Sequence, residues 1–62
     1  MKYKVKVLYK GQKGVCEETM DFHSLAEATS VFAQWRYASN CIKCEVLDLE
    51  GNIITMHENK TD

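Results

Sequence analysis

The sequence predicts an α+β fold, one helix packed across a four-stranded antiparallel sheet, from three observations. Four stretches alternate apolar and polar residues with the period of a strand; one, Ser24 to Asn40, repeats at the three-and-four spacing of a helix; and each outer pair of strands is joined by a short glycine-containing turn. The element order is therefore β-β-α-β-β in two layers. Placing strand 1 between strands 2 and 3 gives the spatial order 2-1-3-4, with a right-handed crossover through the helix.

Strand 1 spans Tyr3 to Lys10, with Tyr3, Val5, Val7 and Tyr9 on one face and Lys4, Lys6, Leu8 and Lys10 on the other. Gly11-Gln12-Lys13-Gly14 supplies the turn, because glycine tolerates the positive φ of tight hairpins. Strand 2, Val15 to Phe22, then pairs so that residue numbers sum to 25: Tyr9 with Cys16, Val7 with Glu18, Val5 with Met20 and Tyr3 with Phe22, all toward the helix. Glu18 is the odd member of that face. On the back, Lys4 meets Asp21, Lys6 meets Thr19 and Leu8 meets Glu17, which neutralises part of the lysine row.

Ser24-Leu25-Ala26-Glu27 is a capping box that starts the helix. Leu25, Ala28, Val31, Phe32, Trp35 and Ala38 form its apolar stripe, and Asn40 is suited to end it in a left-handed conformation. A second, narrow stripe of Ala26, Ser30, Ala33 and Tyr37 faces outward.

Strand 3, Cys41 to Asp48, sets Ile42, Cys44 and Val46 against Lys43, Glu45 and Leu47. Asp48-Leu49-Glu50-Gly51 reads as a type I turn closed by a glycine bulge. Strand 4, Asn52 to Met56, is expected to pair Val46 with Ile54 and Cys44 with Met56 toward the helix, leaving Leu47 opposite Ile53 on the back. The pattern fades from His57, so residues 58–62 are expected to be a frayed tail of a single domain spanning 1–62. Strands 2 and 4 become the sheet edges. Glu17, Glu18 and Asp21 protect the first; the second carries almost no charge and is open to pairing.

A chain of 62 residues buries only about 60% of its unfolded surface, so association is an expected source of stability. Three cysteines form no even framework, no hydrophobic leader precedes Lys2-Tyr3-Lys4-Val5-Lys6, and no apolar run approaches the ~18 residues of a membrane span. A cytoplasmic location, with no membrane and no disulfides, is expected. Net charge is −1 but uneven: residues 1–14 hold five lysines and no acid, and the remainder is acidic.

Cys41-Ile42-Lys43-Cys44 invites a metal or redox reading, but a second close pair of ligands is missing and the motif follows a helix rather than opening one. Residues three apart on a regular strand also point to opposite faces. Packing is the favoured role, and neither metal nor cofactor is expected. His23 and His57 lack a neighbouring nucleophile, and Glu17-Glu18 face opposite ways, so no catalytic residue is assigned and an enzyme is not expected. Lys4, Lys6, Lys10 and Lys13 offer a phosphate-tracking row, opposed by the acids of strand 2 and by the lack of an aromatic platform on that face. Leu8, Leu47 and Ile53 fall on the back face, where adjacent aliphatics flanked by charge make an association patch.

Leu25-x-Glu27-Ala28 and Ala33-x-Trp35-x-Tyr37, on one helix between short strands, resemble small bacteriophage accessory proteins. The small podophage inhibitors of bacterial RNA polymerase look similar in the Leu-x-Glu-Ala start and Trp-x-Tyr end of the helix, and phage antitoxins that mask a host ribonuclease are similar in size and element order. The resemblance implies a host-takeover protein: a non-enzymatic inhibitor that binds a host protein in the host cytoplasm. The expected binding residues are Ala26, Ala33, Arg36 and Tyr37 on the helix and Leu8, Leu47 and Ile53 on the sheet. A small nucleic-acid-binding protein using the lysine row, and a homodimeric structural protein, are the alternatives.

Overall fold

In the computed structural model, which describes residues 2–59, β1 (Tyr3–Gly11), β2 (Gly14–Phe22), α1 (Leu25–Arg36), β3 (Cys41–Asp48) and β4 (Ile53–Glu58) follow in chain order. All pairings are antiparallel, the spatial order is β2-β1-β3-β4, and α1 lies across one face. The predicted architecture and strand order are those observed. The β1–β2 register also matches, from Tyr3 opposite Phe22 to Gly11 opposite Gly14. The two turn glycines serve differently. Gly14 takes φ 122°, a conformation side chains resist, whereas a Cβ on Gly11 would sit 3.0 Å from the Cys16 sulfur.

Val5, Val7, Ala28, Phe32, Cys41, Cys44 and Val46 form the buried core, with Tyr3, Tyr9, Met20, Phe22, Val31, Trp35 and Ala38 packed around it. The helix rests on β3 and β1 and only lightly on β2. That placement explains Glu18: it is on the helix face, but on a strand the helix hardly covers, and it stays exposed. Leu25, the first residue of the stripe, is likewise exposed. Trp35 stacks on Tyr9 with ring centroids 5.3 Å apart and planes tilted by 34°.

The helix is shorter than its sequence pattern. Ser24 Oγ accepts from the Glu27 N–H and donates to the Glu27 carboxylate, both at 3.2 Å, so the box closes through the hydroxyl. At the other end Tyr37 is the C-cap, with φ −95° and ψ 0°. Asn40 does not adopt the left-handed conformation expected of it; no described residue other than glycine has positive φ. Its backbone joins the sheet instead, its carbonyl accepting from the Lys10 N–H at 2.8 Å.

Two bulges change which side chains share a face. Leu8 pairs with Lys43 but Tyr9 with Cys41, so Cys41 and Ile42 share the position opposite Tyr9 and Cys41 turns toward the core with Cys44. On the other side, Leu47 pairs with Ile53 as expected, but Val46 pairs with Thr55 and Cys44 with His57. The inserted residue reverses the expected facing: Ile54 and Met56 lie on the back, and Thr55 and His57 take the helix side. β4 also runs further than expected, through Glu58. Asn59 then ties it down, its N–H donating to the Ile42 carbonyl at 2.8 Å and its side-chain amide to the Cys41 carbonyl at 2.9 Å. The tail expected from residue 58 is thus ordered at 58 and 59, and 60–62 lie outside the described residues.

The turn at Asp48 is the one predicted. The Gly51 N–H donates to the Asp48 carbonyl at 3.1 Å, and Gly51 has φ 86°. Asp48 Oδ1 also accepts from the N–H groups of Glu50 and Asn52, each at 2.9 Å. These donors, Asn52 first, hold the carboxyl below its ordinary value.

Candidate functional site

β4 is an outer strand whose free side is defined by its hydrogen bonds. Because the Asn59 N–H points at β3, alternation turns the N–H and carbonyl of Thr55 and His57 inward as well. The carbonyl of Ile54 and both groups of Met56 and of Glu58 consequently point away from the sheet. The same strand presents its apolar side chains to solvent. Ile53, Ile54 and Met56 are 52%, 44% and 45% exposed on the back face, beside half-buried Leu47 and the exposed turn residue Leu49. An open depression lined by Lys4, Thr19, Leu47, Leu49 and Gly51 continues the surface toward β1 and β2. Unpaired backbone and exposed aliphatics therefore coincide on one strand, which is the arrangement strand addition requires.

The sheet residues predicted to bind are only partly brought together. Leu47 and Ile53 are cross-strand neighbours, but Leu8 lies opposite Lys43 and Glu17, separated from Leu47 by the Lys6–Glu45 pair. Ile54 and Met56 were assigned to the core side by the sequence. Their signal was the Ile53-Ile54 doublet, which breaks strict alternation just where the bulge forms.

On the helix, Ala26, Ala33, Arg36 and Tyr37 are all exposed, Tyr37 at 79%. The Arg36 guanidinium sits 5.5 Å from the Tyr37 ring centroid, a cation–π contact that orients both at the helix end. This surface is separate from β4, on the opposite layer.

No family model, curated protein or solved structure matches the chain. Its surfaces are the guide to its function.

The lysine row is interrupted. Lys4 lies opposite Asp21, and Lys6 reaches Glu17 at 3.7 Å rather than meeting only Thr19. Lys10 faces Val15, and Lys13 sits at the hairpin tip. The Lys6–Glu17 pair is exposed and contributes at most ~1 kcal/mol, but it occupies a cation that phosphate would need.

Cys41 and Cys44 are buried on one face of β3, and burial, reinforced by the adjacent Cys41, pushes the Cys44 thiol up to about 12. A thiol held neutral is a poor nucleophile and a poor metal ligand. No group of three or more metal-ligating side chains occurs among the described residues. His23 is exposed, and His57 Nε2 lies 2.6 Å from Asn59 Oδ1, so its ring is engaged in the strand-end lock. Among the described residues no helix is long and apolar enough to cross a membrane.

Proposed function

We propose that this protein is a non-enzymatic protein-binding module that adds an extended segment of a partner protein to the free edge of β4. The observation that carries this reading is the coincidence on β4 of outward-pointing backbone groups with exposed Ile53, Ile54 and Met56. Backbone bonds supply affinity, and the aliphatic strip supplies selectivity through alternate side chains. The resemblance of the helix to those of phage inhibitors adds a mode of action, masking of a host protein, with Arg36 and Tyr37 as a second contact on the other layer. The lysine row is a weaker candidate, because Lys4 and Lys6 already face acidic partners.

The test is capture of proteins from a bacterial lysate on three immobilised forms: the wild type, Ile54→Lys/Met56→Lys, and Lys4→Glu/Lys6→Glu. A stoichiometric protein retained by the wild type and the lysine variant but lost from the β4 variant supports the reading. Absence of any such protein overturns it.

A further inference from the structure

Building on the protein-binding reading of β4, we propose that the occupant of this edge in the free protein is a second copy of the same chain, added antiparallel about a twofold axis at Met56. The outward-pointing backbone groups of β4 are centred on Met56, flanked by the carbonyl of the bulge residue Ile54 on one side and the Glu58 N–H on the other. An axis there brings these groups of the two copies opposite one another. Met56 then faces Met56 of the other copy, and the two exchange both backbone bonds; the Glu58 N–H of each copy meets the Ile54 carbonyl of the other. Both groups of Met56, the Ile54 carbonyl and the Glu58 N–H are satisfied by the symmetry mate, and the two sheets become one of eight strands.

The side chains agree with this register. On the back face the methionines meet at the axis, and each Ile54 lies against the methylenes of the other copy's Glu58, whose carboxylate is cross-strand from its own Lys43. No carboxylate opposes another. On the helix side Thr55 meets His57. The competing axis at Thr55 would instead run Glu58 into Asn52, whose carbonyl is already committed to the Asp48 N–H, and would leave fewer backbone bonds.

The other edge of a second copy is a poorer occupant. β2 carries exposed Glu17 and Asp21 on its back face, the face of Glu58 and the aliphatic strip, and head-to-tail pairing of β4 on β2 would propagate without closing. Self-pairing of β4 closes after two copies and gives a marginal domain extra stability by mass action. An interface built on one short strand is small, so the dimer is weak and concentration-dependent.

Two measurements test it. Light scattering across micromolar to millimolar concentrations should show the mass rising from 7.1 kDa toward twice that value, and Ile54→Lys should remain at the lower mass while still melting cooperatively. In a Cys16→Ser background, Met56→Cys should form a covalent dimer with oxidised glutathione, since opposed residues of a hydrogen-bonded pair are ~5.5 Å apart at Cα, within disulfide reach. Faster cross-linking by Thr55→Cys overturns the register. A dimer indifferent to Ile54→Lys overturns the interface. A monomer at all concentrations overturns self-pairing altogether; if that monomer still holds a lysate protein through Ile54 and Met56, the protein-binding reading survives without it.

Discussion

Replacing Asn59 with alanine probes whether β4 truly runs to the end of the described chain. Asn59 makes three bonds across the strand end: its N–H to the Ile42 carbonyl at 2.8 Å, its side-chain amide to the Cys41 carbonyl at 2.9 Å, and its Oδ1 to His57 Nε2 at 2.6 Å. Asn59→Ala keeps the first and removes the other two. The Cys41 carbonyl is partly buried above the core, so losing its donor costs about 1 kcal/mol, and the His57 contact adds somewhat less, for a total of ~1–2 kcal/mol. In a domain of this size that corresponds to a Tm lower by roughly 5–15 °C. Thermal unfolding by circular dichroism reads the shift, and a urea titration should show a lower midpoint at unchanged slope. A Tm within ~2 °C of wild type would refute the reasoning, because it would mean the strand end is already open in solution.

The remaining predictions concern the core, the turn and the thiols. Phe32→Ala removes the largest buried side chain of the helix and should cost ~3–5 kcal/mol, enough to abolish cooperative melting; a sharp transition near the wild-type temperature would contradict the packing. Asp48 has a folded-state pKa below its unfolded value, chiefly through the Asn52 N–H, so its contribution is complete above about pH 4 and is lost as pH falls through the lower, folded value. The wild type should therefore exceed Asp48→Asn in urea midpoint at neutral pH, with the gap closing in acid; a gap independent of pH would contradict the turn's hydrogen bonds. Of the three free cysteines, Cys16 should react first with a thiol reagent in the native state, while Cys41 and Cys44 react only on unfolding. Rapid labelling of all three without denaturant would contradict their burial.

Strict patterns in the sequence carried over into the structure, and shifts of a single residue did not. The β1–β2 register was legible because four lysine-free positions, Tyr3, Val5, Val7 and Tyr9, alternate without interruption up to a glycine turn. Ser24 and Asp48 were legible because a cap and a type I turn need those side chains at those positions. A bulge, by contrast, changes no composition and no local propensity; it inserts one residue and reverses every facing beyond it. That is why Ile54 and Met56 read as core when they are surface, and why Cys41 and Cys44 read as opposed when both are buried. Asn40 and Asn59 were missed for a related reason. Each asparagine bonds a strand residue far away in the chain, Lys10 and Cys41 respectively, and no local pattern encodes such a partner.

The central claim is that the outer side of β4 is a binding edge occupied by another strand. Amide hydrogen exchange, residue by residue, addresses it most directly, because the Thr55 and His57 N–H groups point at β3 while those of Met56 and Glu58 point outward. With the edge occupied, Met56 and Glu58 exchange slowly in concentrated protein and speed up on dilution, while Thr55 and His57 stay slow throughout. Fast exchange of Met56 and Glu58 at every concentration, with or without partner protein, would contradict the account.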